Sequence, residues 1–268
     1  MRTYSADRIH NVGLFSHAGA GKTTLAEAML FETGVVTRMG KVDEGTTVSD
    51  HEPEEIDHRV SIHMSLIPIE WNDTKINLID APGYAEFQAE AFAAMRAVDA
   101  AIIVVDAASG VEVGTTQVWE MADHHNLARM VFVNRMNREH ADFHATLTAL
   151  RDAFGKQIAP IQFPIGDAEQ FRGIVDLLTG EALVIDAGAE GGYRREPVPD
   201  ELADECETYR RALIESIAEH NEELLMRYLD EEAIGDEEII RELHACVDDG
   251  TVVPLLCGSA DGNHGVGP

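Results

Sequence analysis

The segment from 16 to 24, Ser-His-Ala-Gly-Ala-Gly-Lys-Thr-Thr, constrains this chain more than any other stretch. An apolar series (Ile9, Val12, Leu14, Phe15) precedes it, and a helix-forming run from Leu25 to Phe31 follows. Strand, glycine-rich turn and helix must therefore succeed one another here, the order that presents backbone N–H groups at a helix N-terminus. Gly19 and Gly21 let those N–H groups close around phosphate oxygens, Lys22 adds a point charge, and the Thr23 hydroxyl can ligate Mg²⁺. Where the usual pattern G-x-x-x-x-G-K-[ST] begins with glycine, this chain has Ser16. The segment reads as a phosphate loop.

Charge narrows the partners. The 49 acidic residues against 20 basic ones give a formal charge of −29, a field that disfavours non-specific contact with nucleic acid or anionic lipid. Docking through a small local patch stays open. Cys206, Cys246 and Cys257 are odd in number and lack C-x-x-C spacing, which argues against a disulfide framework or a zinc site. No apolar run approaches a membrane span and the N-terminus has no signal-peptide core. A cytoplasmic location is expected.

The 268 residues suit one large domain carrying an insertion. Gly34 can end the first helix, and 35 to 60 turn polar and irregular, as a mobile switch loop would. Ile62 to Trp71 and Ile76 to Ile79, joined by Asn72-Asp73, read as an antiparallel hairpin that delivers Asp80-Ala81-Pro82-Gly83-Tyr84 at its end. A helix at 87 to 97, a strand at 100 to 105, a helix at 115 to 125 and a strand at 130 to 133 then alternate. This alternation predicts an α/β fold with a mostly parallel sheet covered by helices on both faces.

From about Lys156 the composition shifts towards a small sheet, with strands at 161 to 165, 171 to 176 and 182 to 185 and a turn at Gly188, Gly191 and Gly192. A long acidic helical stretch from 201 to 229 and another helix from 237 to 247 follow, before a buried strand at 252 to 256. The expected division is 1–155 with 251–268 as the nucleotide-binding domain, and 156–250 as an inserted α+β subdomain.

Four loops now stand at strand ends: 16 to 23, 80 to 83, Asn134-Arg135-Met136-Asn137, and Gly258-Ser259-Ala260. Their order and spacing resemble the P-loop guanine-nucleotide domain of the translational GTPases. Within that class the chain is most similar to the elongation factor G family, through 12 to 24, Glu44-Gly45-Thr46-Thr47, Phe163-Pro164-Ile165-Gly166, Gly173-Ile174-Val175-Asp176 and Cys257-Gly258-Ser259-Ala260. The likeness covers essentially the whole chain.

What the resemblance implies can be stated residue by residue. His17, Ala18, Gly19, Ala20, Gly21, Lys22, Thr23 and Thr24 would cradle the phosphates of GTP or GDP. Asp80 would hold Mg²⁺ through a water, Thr23 would ligate it directly, and Ser61 would be the second hydroxyl, since His58-Arg59-Val60-Ser61-Ile62 aligns with the family's Arg-Gly-Ile-Thr-Ile. Lys22, Gly83 and Tyr84 would form the reacting end. Asn134, Arg135, Asn137, Gly258, Ser259 and Ala260 would form the base site.

Four positions depart from the family, which has Asp at Gly19, His at Tyr84, Lys at Arg135 and Asp at Asn137. A carboxylate at 137 would accept from both guanine N1–H and the 2-amino group, whereas an amide offers one acceptor. Guanine preference is therefore expected to weaken by roughly 1.5–3 kcal/mol, and a xanthine base becomes an alternative. Tyrosine can hydrogen-bond but is neither a cation nor a ready base near neutral pH, so hydrolysis is expected to be slow or differently activated.

The resemblance implies a Mg²⁺-dependent GTPase switch acting at the large-subunit GTPase-associated region of the ribosome, continuing past Pro268 into a closing helix and further domains. The acidic helices of the insertion (Glu201, Glu205, Glu207, Glu215, Glu219, Glu222, Glu223) would approach a stalk protein. The other readings are a nucleotide-dependent ribosome-binding module with little turnover, and a ribosome-protection or release factor.

Overall fold

The computed structural model describes residues 3–186, 191–230, 232 and 234–267, so Gly188 of the predicted turn lies outside the described residues. The chain opens with strand β1 (Ile9–Phe15) and helix α1 (Lys22–Glu32). Gly21, at φ 91°, starts α1 and Gly34, at φ 70°, ends it; in both places glycine takes a left-handed backbone at little cost.

The polar stretch from 35 to 60 is more ordered than its composition suggests. Glu27 of α1 is buried and accepts from the Gly40 N–H at 2.8 Å and the Val48 N–H at 2.6 Å, which pins the loop to the helix. Helix α2 (Pro53–His58) follows, with proline in its first turn and Glu52 and Glu55 capping each other's backbone N–H groups.

Strands β2 (Ser65–Trp71) and β3 (Thr74–Asp80) form the expected hairpin. Its two turn residues, Asn72 at φ 45° and Asp73 at φ 60°, are both left-handed, the signature of a type I′ turn. Then come α3 (Gln88–Met95), β4 (Ala100–Asp106), α4 (Val113–His124), β5 (Ala128–Asn134) and α5 (Phe143–Phe154). The sequence reading passed over α5. Its signal was present: Asp142 accepts from the Ala145 N–H at 2.9 Å as an N-cap, and Phe143, Thr146, Leu147 and Leu150 are buried at helical spacing.

Beyond α5 lie β6 (Ile158–Pro160), β7 (Gln162–Ile165), β8 (Gly173–Asp176), β9 (Glu181–Ile185) and β10 (Tyr193–Pro197). Helices α6 (Ala203–Ala218), α7 (Glu222–Leu229) and α8 (Asp236–Asp248) precede β11 (Val253–Cys257). The acidic stretch expected as one helix is broken between α6 and α7. The Asn221 side chain accepts from the Glu223 and Leu224 N–H groups and begins a new helix there.

The large sheet has the order β2-β3-β1-β4-β5-β11-β6, parallel except for the β2 edge, and a second, antiparallel sheet has the order β10-β9-β8-β7. Alternate residues of the large sheet feed opposite cores. Leu14, Leu78, Val104 and Phe132 pack with Leu25, Ala26 and Leu30 of α1. Their neighbours Phe15, Ile79, Val105 and Val133 pack with α3, α4 and α5, in a core that continues into the second sheet and its helices. The carboxyl ends of β1, β3, β5 and β11 therefore share one edge of the sheet, where ligands of such folds gather. Among the described residues no helix is long and apolar enough to cross a membrane.

Candidate nucleotide site

A cavity of about 730 Å³ opens at that edge, lined by the phosphate loop, the segment from 38 to 43, Asp50, the segment from 59 to 61, Gly83, Tyr84, Arg135, Arg138 and Asp261. At one end, the buried Lys22 ammonium donates to Ser16 Oγ at 2.9 Å. Burial holds the Lys22 pKa below the ordinary lysine value, against the pull of Asp80 and Asp50. Serine at 16 thus gives the lysine a neutral partner and leaves its charge available to the cavity. Gly83 passes so close that a Cβ there would lie 2.6 Å from Lys22 Nζ and 2.8 Å from the His17 carbonyl. Only glycine brings the backbone that near.

Gly19 has a φ of 83°, a conformation that asparagine, aspartate or glycine can hold but glycine holds without strain, so the departure from the family's Asp relaxes this turn. His17 is buried, 3.1 Å from Thr115 Oγ1 through Nδ1 and 3.5 Å from Glu112 through Nε2, which clamps the loop to the start of α4. Burial lowers the His17 pKa, with Glu112 opposing it. Ala20 is buried beneath the loop, while Ala18 and Thr24 line the cavity.

Three oxygen-bearing side chains converge beside Lys22. Thr23 Oγ1 donates to Asp80 Oδ2 at 2.7 Å and lies 3.2 Å from Ser61 Oγ. Asp80 Oδ1 is buried and makes no hydrogen bond of ordinary geometry, although the Ser49 hydroxyl is near enough to favour the charged form. Burial pushes the Asp80 pKa up to about 6, with Lys22 and Thr23 pulling the other way. A buried carboxylate oxygen short of donors, flanked by two hydroxyls, is a hard-oxygen set that fits Mg²⁺. Asp50 adds a further carboxylate, raised in pKa by burial with the nearby Ser61 hydroxyl opposing. Sequence reasoning missed Asp50, whose place is set by a turn within the polar loop.

At the other end, Asn134 joins two loops. Its Nδ2 donates to the Ala20 carbonyl at 2.9 Å, and its Oδ1 accepts from the Arg135 and Ala260 N–H groups at 2.8 and 2.9 Å. A Cβ on Gly21 would sit 2.5 Å from Asn134 Nδ2, so glycine at 21 is a packing requirement as well as a conformational one. Arg135, at φ 63°, forms a 2.9 Å ion pair with Asp106, which also accepts from the Ala108 and Ser109 N–H groups. Burial alone would raise the Asp106 pKa, but Arg135 and those N–H groups outweigh it and the value is lowered. Gly258 packs under the loop and the Ser259 hydroxyl reaches both Asn137 and Asp261. Tyr84 is 45% exposed at the rim, and its carbonyl accepts from the Phe87 N–H at 3.0 Å at the start of the following turn.

Three of the predicted loops therefore line one cavity, through Lys22, Gly83 and Arg135, and the fourth abuts it through Asp261, the residue after Ala260. Residues 7–268 match the elongation factor Tu GTP-binding domain family. The chain belongs to that family. It is 38% identical over 267 residues to elongation factor G of Thermotoga maritima, spanning all of this chain and 39% of that relative, and 38% identical to elongation factor G of Thermotoga neapolitana, spanning 38% of it. A crystal structure of a protein from Thermus thermophilus superposes with a TM-score of 0.90 at 36% identity, covering 97% of this chain and 38% of that one. Membership makes this a P-loop GTPase domain, with GTP or GDP as its ligand, accompanied by the antiparallel sheet β10-β9-β8-β7. The chain spans less than two fifths of the length of these relatives.

Proposed function

We propose that this chain is the nucleotide-binding part of an elongation-factor-G-like translation factor, hydrolysing GTP to GDP and phosphate as a Mg²⁺-dependent switch on the ribosome. The observation that carries the proposal is the convergence of Lys22, Thr23, Ser61 and Asp80 at one end of the cavity, while at the other Arg135 and Asp261 line it and Asn134 bridges the phosphate loop to Ala260. In this reading Lys22 holds the β and γ phosphates, the N–H groups of 17 to 24 cradle them, and the Gly83 N–H meets the γ-phosphate. Thr23, Ser61 and Asp80 would hold Mg²⁺, the two hydroxyls directly and Asp80 through a water. Mg²⁺ supplies charge neutralisation across the phosphate oxygens. Arg135 lies along the base, and the Ser259 and Ala260 backbone faces the purine O6.

The switch reading rests on Ser61, which directly follows the polar loop that Glu27 pins to α1 and which lies 3.2 Å from Thr23 Oγ1. Residues 156–250 we take as the inserted subdomain, its acidic helices facing a basic stalk partner, and the whole as cytoplasmic.

A module with little turnover is favoured by one observation: Tyr84, at the position expected to orient the attacking water, carries a phenol and stands exposed at the rim. Single-turnover hydrolysis of γ-labelled GTP, with and without ribosomes, separates the two. Under the proposal ribosomes accelerate phosphate release and Tyr84→His raises the stimulated rate. GTP bound tightly but not cleaved under either condition would leave the binding module standing instead.

A further inference from the structure

The base end of the cavity holds an arrangement that the loss of the carboxylate at 137 does not explain. Ser259 Oγ, which is buried, lies 2.5 Å from both Asn137 Oδ1 and Asp261 Oδ1, so its one proton is shared between the amide and the carboxylate and ties the three side chains into one network. Asn137 Nδ2 is turned towards Asp261, at 3.2 Å from Oδ1 and 3.4 Å from Oδ2. Asp261 is exposed, lines the nucleotide cavity beside Arg135, and has Oδ1 held by the Gly262 N–H at 2.9 Å and by its share of the Ser259 proton. Oδ2 has only the long contact from Asn137 and keeps its remaining lone pairs for a ligand. Asp106, the other carboxylate near this end, is committed to Arg135.

We propose that Asp261 is the guanine-selecting carboxylate of this chain, held in place by Asn137 and Ser259 and accepting from the N1–H and 2-amino donors of the base. The inference rests on the nucleotide reading above. Its physical content is a transfer of charge across a hydrogen-bonded pair: the anion that would stand at 137 stands at 261, and the amide at 137 becomes its donor rather than the guanine acceptor. Asn137 is then a positioning residue. Weakened guanine selection and a xanthine preference, the outcomes expected from position 137 alone, are not expected from the pair.

Equilibrium binding of fluorescent GDP, XDP and ADP analogues at fixed Mg²⁺ tests this on the chain and on the D261N, N137D and N137D/D261N variants. The wild-type chain should bind GDP in preference to XDP and ADP. D261N should weaken GDP about ten- to hundredfold, the loss of one charge-assisted acceptor, and narrow or reverse the preference over XDP. N137D alone should not tighten GDP, since it puts two carboxylates within hydrogen-bond distance, and the double variant should recover GDP binding because the charge has only moved across the pair. Unchanged thermal melting of D261N, an exposed substitution, shows that the fold is intact. GDP binding by D261N within twofold of wild type, or a tenfold gain in N137D, would overturn the assignment while leaving the nucleotide reading in place. A wild-type chain that binds none of the three would instead overturn the nucleotide reading, and this inference with it.

Discussion

The two ends of the cavity are built on different principles. The Lys22 end draws on the phosphate loop, the end of β3 and Ser61: glycines with left-handed φ, a buried ammonium, a hydroxyl pair, and a carboxylate raised to about 6 by burial. The Asn137 end combines the exposed Asn137 and Asp261 with the buried Asn134 and Ser259, held by hydrogen bonds between segments more than a hundred residues apart. Buried charge in a rigid turn gives binding strength with little tolerance for change. A shared hydrogen-bond network gives selectivity and lets its carboxylate change position without loss of the fold. Drift from the family pattern should therefore be harmful at the first end and compensable at the second.

The largest effect that would break this contrast is at Lys22. Lys22→Met should lower GDP affinity by about two decades, as expected when a charge-assisted contact in a buried site is removed, with secondary structure retained by circular dichroism. Calorimetric titration measures it, and a loss below threefold would mean that the phosphate end does not depend on its buried charge. Asn134→Ala should strike both ends at once. It leaves the buried Ala260 N–H without its acceptor, costing about 2 kcal/mol and lowering Tm by about 4–8 °C, and it weakens GDP binding even where melting is corrected for.

A pH effect separates the two ends. Asp80 titrates near 6 in the folded chain against an ordinary value of 3.8. A carboxyl raised in this direction stabilises the metal-free fold below the ordinary value and loses that contribution as pH rises through about 6. Metal binding has the opposite sign, because the proton must leave first. The Mg²⁺-dependent part of GDP affinity should fall about tenfold per pH unit below 6, measured by titrations with Mg²⁺ and with EDTA between pH 5 and 7.5. The part that resists EDTA should stay flat, and a parallel decline of both would remove Asp80 as the cause.

The smallest expected effect lies in the switch loop. Arg59 has φ 57° at the position where the aligned family motif carries glycine. A left-handed arginine costs roughly 1 kcal/mol, so Arg59→Gly should raise Tm by about 2–4 °C. No change in melting would indicate that its 3.7 Å pairing with Asp43 compensates the strain.

Much of the phosphate end was legible from the chain because its causes are local. Gly19, Gly21, Lys22 and Thr23 fall within five residues, and Asp80 and Gly83 follow a hairpin whose Asn-Asp turn announces itself. Helix α5 was missed although its cap and apolar spacing were present, and the break at Asn221 was hidden because acidic helix formers lie on both sides of it. Glu27, Asp50, Asp106 and Asp261 gave no local signal. Each matters through a partner supplied by another segment, and charge in a polar stretch reads as solvated until the fold shows what it faces.

The sequence by itself determined that a phosphate loop joins a buried strand to a helix, and that alternating apolar and helical runs make a mostly parallel sheet. Those are properties of neighbouring residues and of spacing, and a chain states them directly. Only the tertiary structure decided which carboxylate stands at the base edge. Asn137 and Ser259 are separated by 122 residues, and their hydrogen bond exists because β5 and β11 are adjacent strands. That adjacency carries Asp261 to the cavity and changes the meaning of an amide that, read alone, looked like a loss.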